Sequence, residues 1–175
     1  MDQILKNKVA IVTGGSSGMG RAGVELFSEA GCQSVIADIN EKEGNKIKEN
    51  LTKKNLKTDF IYTDVTDSKN VQSTVNQIIK KYGRIDILFH NAVDVPLVNN
   101  HDSRITELPE EIWHKINTLV LDGAFYCSKY VGKQMLKQKS GSIILTATTD
   151  ALVGQAGIDA YTAAKGAIVS MTRSM

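Results

Sequence analysis

Val9-Ala10-Ile11-Val12-Thr13-Gly14-Gly15-Ser16-Ser17-Gly18-Met19-Gly20 decides how this chain is read. Four consecutive apolar residues, Val9 to Val12, suit a strand buried on both faces, as in a parallel sheet. A glycine turn follows, and Met19 to Ala30 then reads as a helix stopped by Gly31. Strand, glycines and helix in this order make a phosphate cradle. Gly14 makes the tight turn, Gly18 lets backbone approach a pyrophosphate, and Gly20 lets helix pack on strand. The free N–H groups at the helix N-terminus carry the partial positive charge that phosphate oxygens seek. The rival reading is a glycine-rich loop with no ligand.

Outward from this stretch the chain alternates strand and helix. Strands are expected at Ser34–Asp38, Asp59–Thr63, Ile85–His90 and Gly141–Thr146. Helices are expected at 40–53, capped by Asn40, at 67–82, from Pro109 to about Lys137, and at about 159–174. Residues 91–108 read as a polar loop. Strands alternating with helices predict an α/β fold, a doubly wound parallel sheet, as one domain over residues 1–175, and the order expected for its strands is 3-2-1-4-5. Such a sheet binds its ligand at the carboxyl ends of the first and fourth strands, where strand order reverses.

The bulk properties narrow the function. Among 175 residues, 42% are hydrophobic and 23% charged, and the net charge is +2, which is ordinary for a globular protein. There is no charge run to suggest nucleic acid and no apolar run of membrane-spanning length. The N-terminus lacks a signal-peptide core. Cys32 and Cys127 have no metal-site spacing and suggest free thiols in a reducing, cytoplasmic setting. His90, His101 and His114 are scattered, so no metal is expected.

Two positions point to a nucleotide and to proton chemistry. Asp38 ends the second strand, 18 residues after Gly20, where a carboxylate can accept hydrogen bonds from both hydroxyls of an adenosine ribose and repel a 2′-phosphate. With no basic residue between Thr13 and Gly20, NAD is expected over NADP; the weaker alternative makes Asp38 a mere strand-end cap. Tyr161 and Lys165, four apart, share a helix face. An ammonium near a phenol favours the phenolate and makes it usable as a base near neutral pH. The bland alternative is an ordinary surface pair.

Together these features resemble the short-chain dehydrogenase/reductase family of the shorter type, over residues 8–175. Thr13 to Gly20 fits its TGxxxGxG motif, Asp64-Val65 the acidic-aliphatic pair beside adenine, Asn91-Ala92 the start of NAG, and Tyr161/Lys165 the YxxxK pair. Asn117 fits the helix asparagine of the catalytic set. The resemblance implies NAD bound by Gly14, Ser16, Ser17, Gly18, Met19, Gly20, Asp38, Ile39, Asp64, Val65, Asn91, Ala92, Tyr161 and Lys165. It implies hydride transfer between nicotinamide and a secondary alcohol or ketone. Tyr161 would be the acid/base, and Lys165 would lower its pKa and bind the nicotinamide ribose. Thr148 would polarise the substrate oxygen, and Asn117 would hold a relay water. Thr148 and Asn117 each have a structural alternative, as a loop cap and a buried helix residue.

Three departures stand out. Thr148, thirteen residues before Tyr161, stands where the family has serine. Val93 stands in place of the NAG glycine, where its Cβ is expected to crowd the nicotinamide side or alter the backbone angle. The chain stops at Met175, whereas family members continue with a sixth strand, a substrate loop and a seventh strand. A truncated, catalytically incomplete NAD-binding domain is therefore one alternative, and a 3-oxoacyl reductase-like enzyme another. Val95, Thr149, Leu152 and Gly154 are expected to line the near side of the substrate pocket. The apolar last strand and the small faces of the last helix suggest a homo-oligomer, a dimer or tetramer as in relatives.

Overall fold

The computed structural model describes residues 3–175. Among these, β1 (Val9–Thr13), β2 (Gln33–Asp38), β3 (Thr58–Tyr62), β4 (Ile87–His90) and β5 (Ser142–Leu145) form one sheet in the order β3-β2-β1-β4-β5. All its pairings are parallel. β1 is buried at every position, as its unbroken apolar run requires. Fully burying a side chain such as Ile11 or Val12 contributes about 1.5–3 kcal/mol.

α1 (Gly18–Glu29) and α2 (Glu41–Lys53) cover one face, where Val24, Ile47 and Leu51 meet Val12 and Ile36. α2 is capped as expected, the Asn40 side chain accepting from Glu43 N–H at 3.1 Å. α3 (Ser68–Tyr82) covers the other face through Val71, Val75 and Ile78, packed with Ile11 and Leu88.

The remaining elements correct the sequence-based expectation in three places. Residues 91–108 are not all loop: α4 (Val95–His101) forms there, because the Asp94 carboxylate accepts from Leu97 N–H at 2.9 Å and Pro96 fits the first turn. The helix after Pro109 is not uniform. α5 (Glu110–Asn117) passes through a π-helical stretch, Thr118–Asp122, before α6 (Gly123–Gln138). A one-turn helix, α7 (Asp150–Val153), precedes α8 (Asp159–Ser174).

α6 joins the face covered by α3, through Cys127, Val131 and Met135. A third cluster stands beside the sheet: Ile116, Val120 and Ala124 pack on Ala160, Ala164 and Ile168 of α8. The small alanines of α8 let the helices approach closely, and this fixes the helix that carries Tyr161. Among the described residues β5 pairs with β4 alone and lies at a sheet edge, with Ile144 45% exposed.

Candidate active site

The glycine turn is built for close backbone packing. A Cβ on Gly20 would overlap the Gly14 carbonyl, so helix and turn approach only because that Cβ is absent. Gly18 has a φ of +49° and open space where a side chain would stand. The side chain of Ser17, at the N-cap of α1, makes no capping bond, which leaves first-turn N–H groups free for an incoming acceptor. Ser16 Oγ is buried without a hydrogen-bond partner among the described residues. Open space over Gly18, uncapped N–H groups and an orphaned hydroxyl fit a diphosphate, and with it a dinucleotide. Met19 projects from the same turn, 65% exposed.

Asp38 closes β2 beside this turn. One carboxylate oxygen accepts from Ser16 N–H at 3.0 Å and the other from Asn40 N–H at 2.9 Å. Asp38 thus braces the turn and caps the strand end, and each oxygen keeps a lone pair for a ribose hydroxyl. Ile39, next along, is 63% exposed. Beyond β3, the Asp64 carboxylate accepts from Thr66 N–H and Oγ1 at 2.9 and 2.7 Å, which fixes the loop. Val65 is buried against Gly123.

A belt of hydrogen bonds crosses the carboxyl ends of β1, β4 and β5. Thr13 Oγ1 accepts from Asn91 N–H at 3.1 Å and Ala92 N–H at 3.3 Å, so its own proton goes to His90 Nδ1 at 2.9 Å. That pattern assigns the proton of neutral His90 to Nε2, which has no partner among the described residues. Complete burial, with a smaller contribution from Lys165, pushes His90 down to about 3. Thr146 Oγ1 donates to Asn91 Oδ1 at 3.1 Å, and the Thr146 carbonyl accepts from Lys165 Nζ at 2.5 Å.

Lys165 is only 2% exposed, and burial pushes its ammonium down to about 8. Its Nζ lies 5.6 Å from the centroid of the Tyr161 ring, so the helical spacing does bring the two together. The phenol itself stands differently from the expectation. Burial, then the Asp150 carboxylate, raise the Tyr161 pKa above the usual tyrosine value. The lysine charge is directed at the Thr146 carbonyl.

Asn117 ends α5 where the π stretch begins, and its Nδ2 donates to the Trp113 carbonyl at 2.9 Å. Thr148 Oγ1 donates to Asp150 Oδ2 at 2.8 Å and accepts from Asp150 N–H at 3.3 Å. Val93 is not among the residues with positive φ, so the backbone angle is unstrained; its side chain packs with the cluster around α8. The expected pocket wall is open, with Val95 52% and Leu152 71% exposed, and Thr149 and Gly154 exposed as well.

Sequence reasoning gave no side-chain role to Thr13, His90, Thr146, Asp102 or Asp150. The Asp102 carboxylate accepts from Ala160 N–H and Tyr161 N–H at 3.2 and 2.9 Å, capping α8 from far along the chain. No local pattern announces such a cap; only Asp150, two residues from Thr148, carried a sequence signal.

Residues 8–175 match the family model described as short chain dehydrogenase. An uncharacterized oxidoreductase of Thermotoga maritima is 36% identical over 172 residues, covering 98% of this chain and 65% of that protein. The NAD-dependent glycerol dehydrogenase of Listeria innocua is 36% identical over 170 residues, 97% of this chain and 63% of that one. The crystal structure of an NAD+-bound xylitol dehydrogenase superposes with a TM-score of 0.91 at 28% identity, over 97% of this chain and 64% of that one. The chain thus spans a little under two thirds of the length of these relatives. With the motif order, the sheet order and a match over nearly every residue in agreement, the chain belongs to the short-chain dehydrogenase/reductase family.

Proposed function

We propose that this chain acts in an NAD(H)-dependent oxidoreductase that interconverts a secondary alcohol and a ketone. The observation that carries the reading is the pairing of a fully buried lysine with a tyrosine one turn away, at the carboxyl edge of a sheet that also ends in a phosphate cradle. A lysine is rarely buried without a use for its charge.

When bound, the nicotinamide ring supplies the hydride acceptor or donor at its C4. The residues of the chain do the rest. The turn from Gly14 to Gly20 holds the diphosphate on free N–H groups, and Asp38 accepts from the adenosine ribose. Ile39, Asp64, Val65, Asn91 and Ala92 border the nucleotide. Lys165 holds the second ribose and, once its ammonium faces Tyr161, favours the phenolate. In oxidation Tyr161 takes the proton from the carbinol oxygen, and in reduction it returns the proton. Thr148 hydrogen-bonds the same oxygen, and Asn117 steadies a water path from Lys165 to solvent. Asp38 supports NAD over NADP, as does the NAD-dependent relative. The partners are a small alcohol or ketone and further copies of the chain, in the cytoplasm.

The test is direct. NADH and NADPH are titrated against the chain by nicotinamide fluorescence, beside an NAD-coupled screen of secondary alcohols and polyols. NADH binding that Asp38→Ala weakens, and turnover that Tyr161→Phe removes, are the expected results. Equal or tighter NADPH binding would falsify the cofactor assignment.

A further inference from the structure

Resting on the reading of Tyr161 as the acid/base, we propose that Asp102 is a positioning residue for it. Its carboxylate clasps the first turn of α8 and ties the helix that presents the phenol to the segment leaving β4.

α8 cannot cap itself. Ile158, at its N-cap, has no side-chain acceptor. The chain arrives there through a largely exposed stretch in which Gly154 and Gly157 take positive φ, +80° and +86°, with open space around both. The orphan N–H groups of the first turn are met from elsewhere. Asp159 N–H donates to the Ser103 carbonyl at 3.4 Å, Ala160 N–H to Asp102 Oδ1 at 3.2 Å, and Tyr161 N–H to Asp102 Oδ2 at 2.9 Å. The grip is reciprocal, since Asp159 Oδ2 accepts from Ile105 N–H at 2.8 Å. Thr162 N–H then opens the helix's own ladder on the Ile158 carbonyl at 3.0 Å.

Asp102 is itself held. It ends α4, where its N–H donates to the Val98 carbonyl at 3.3 Å, and its Oδ1 also accepts from Ser103 N–H at 2.9 Å. α4 in turn begins just past Asn91 and Ala92. One short path therefore runs from the end of β4, through α4, to the backbone N–H of Tyr161.

Tyr161 depends on this clasp where Lys165 does not. Tyr161 lies in the first turn, where helices fray. Lys165 lies one turn on, bonded to the Thr146 carbonyl, with Ala164 and Ile168 buried beside it. Ala160 is also fully buried, so loss of the carboxylate loosens the first turn without unfolding the helix. The phenol then loses its set direction, while the lysine and the glycine turn keep theirs.

Fluorine NMR tests this. With 3-fluorotyrosine incorporated, Tyr161→Phe assigns the Tyr161 resonance among the five tyrosines. Asp102→Ala removes the clasp. Asp102→Asn is a cap of similar quality and keeps the fold, but its one acceptor oxygen is claimed by Ser103 and Ala160 N–H together. Both variants should shift or broaden the Tyr161 resonance and leave the other four in place, with NADH affinity within about twofold of the parent. Asp67→Ala removes a cap of the same kind from α3 and should leave the Tyr161 resonance where it was. In an active form, Asp102→Ala should lower kcat by about tenfold or more with little change in KM for NAD. A Tyr161 resonance unmoved in both Asp102 variants overturns the proposal. So does one that moves as far in Asp67→Ala, or a common shift of all five tyrosines, because Asp102 would then serve stability alone. A moved resonance with unchanged kcat overturns its catalytic half. Normal turnover in Tyr161→Phe overturns the proposed function itself and the proposal with it, whatever the spectrum shows.

Discussion

Replacing Lys165 by methionine should stabilise the fold while emptying it of function. Lys165 is 2% exposed, and its pKa falls from 10.5 to about 8 because burial disfavours the ammonium. At about 1.4 kcal/mol per pH unit, the gap between those values corresponds to about 3 kcal/mol of native-state destabilisation below pH 8. The Thr146 carbonyl returns part of this through a charge-assisted bond at 2.5 Å, about 1.5–3 kcal/mol in general. Methionine has similar length, fills the same space and carries no charge. Near pH 7 the variant should therefore equal or exceed the parent by about 1 kcal/mol. The sign of the pH dependence is the sharper test. A folded pKa below the unfolded one means that the unfolded chain binds more protons between pH 8 and 10.5. The parent should thus gain on the variant as pH rises, by about 1 kcal/mol at pH 9 and about 3 kcal/mol by pH 10.5. Urea unfolding of both proteins at matched pH measures the difference directly, and subtraction cancels every other titrating group. A difference that stays flat from pH 7 to pH 10, or a variant much weaker at pH 7, would refute the claim that Lys165 sits under strain. A stabilised, inactive variant is what a site that holds a charge for catalysis should give.

The other predictions concern single groups. Tyr161→Phe should lower turnover in an active form by about a hundredfold or more, with NADH affinity within about twofold, because the phenol handles the proton and the phosphates are held elsewhere; steady-state kinetics beside a binding titration would show otherwise. Asp38→Ala should weaken NADH binding by about tenfold and narrow the gap to NADPH, and undiminished NADH affinity would count against the ribose contact. His90 is held at about 3, well below its ordinary 6.5, so its contribution is complete above pH 6.5 and is lost as pH falls toward 3. Between pH 6.5 and 5 the loss is about 2 kcal/mol, and His90→Asn should unfold with a shallower acid dependence by that amount in denaturant melts.

Much of the architecture was legible because its signals are local. The apolar run of β1, the glycines after it and the cap at Asn40 each act within a few residues. The parallel pairing of the strands follows from their alternation with helices. Strand ends shifted where long-range bonds decide them. β4 begins at Ile87 rather than Ile85, since the Asp86 carboxylate turns to Val9 N–H and to Arg84. α4 was hidden by polar composition, although Asp94 and Pro96 are an N-terminal signature. The π stretch from Thr118 to Asp122 has no residue code; it is a change of hydrogen-bond register within one apolar periodicity. In the site, Tyr161 and Lys165 could be paired from spacing, whereas Asp102 and His90 act on partners brought near only by folding.

Those folded-in partners explain why the separate motifs can work as one device. Thr13 starts the glycine turn, and its hydroxyl gathers the N–H groups of Asn91 and Ala92 and the ring of His90. Asn91 in turn takes the Thr146 hydroxyl, and the Thr146 carbonyl takes Lys165. The parallel register makes this possible, since Thr13 pairs with His90 and His90 with Leu145, so three strand ends stand level. An antiparallel sheet would send alternate strand ends to opposite edges and break the chain of contacts. The glycine turn and the buried lysine therefore share one edge of the sheet, the arrangement on which the proposed function rests. A serine or valine at Thr13 would separate the two effects: serine keeps the shared hydroxyl, whereas valine keeps the shape and leaves two buried N–H groups without an acceptor.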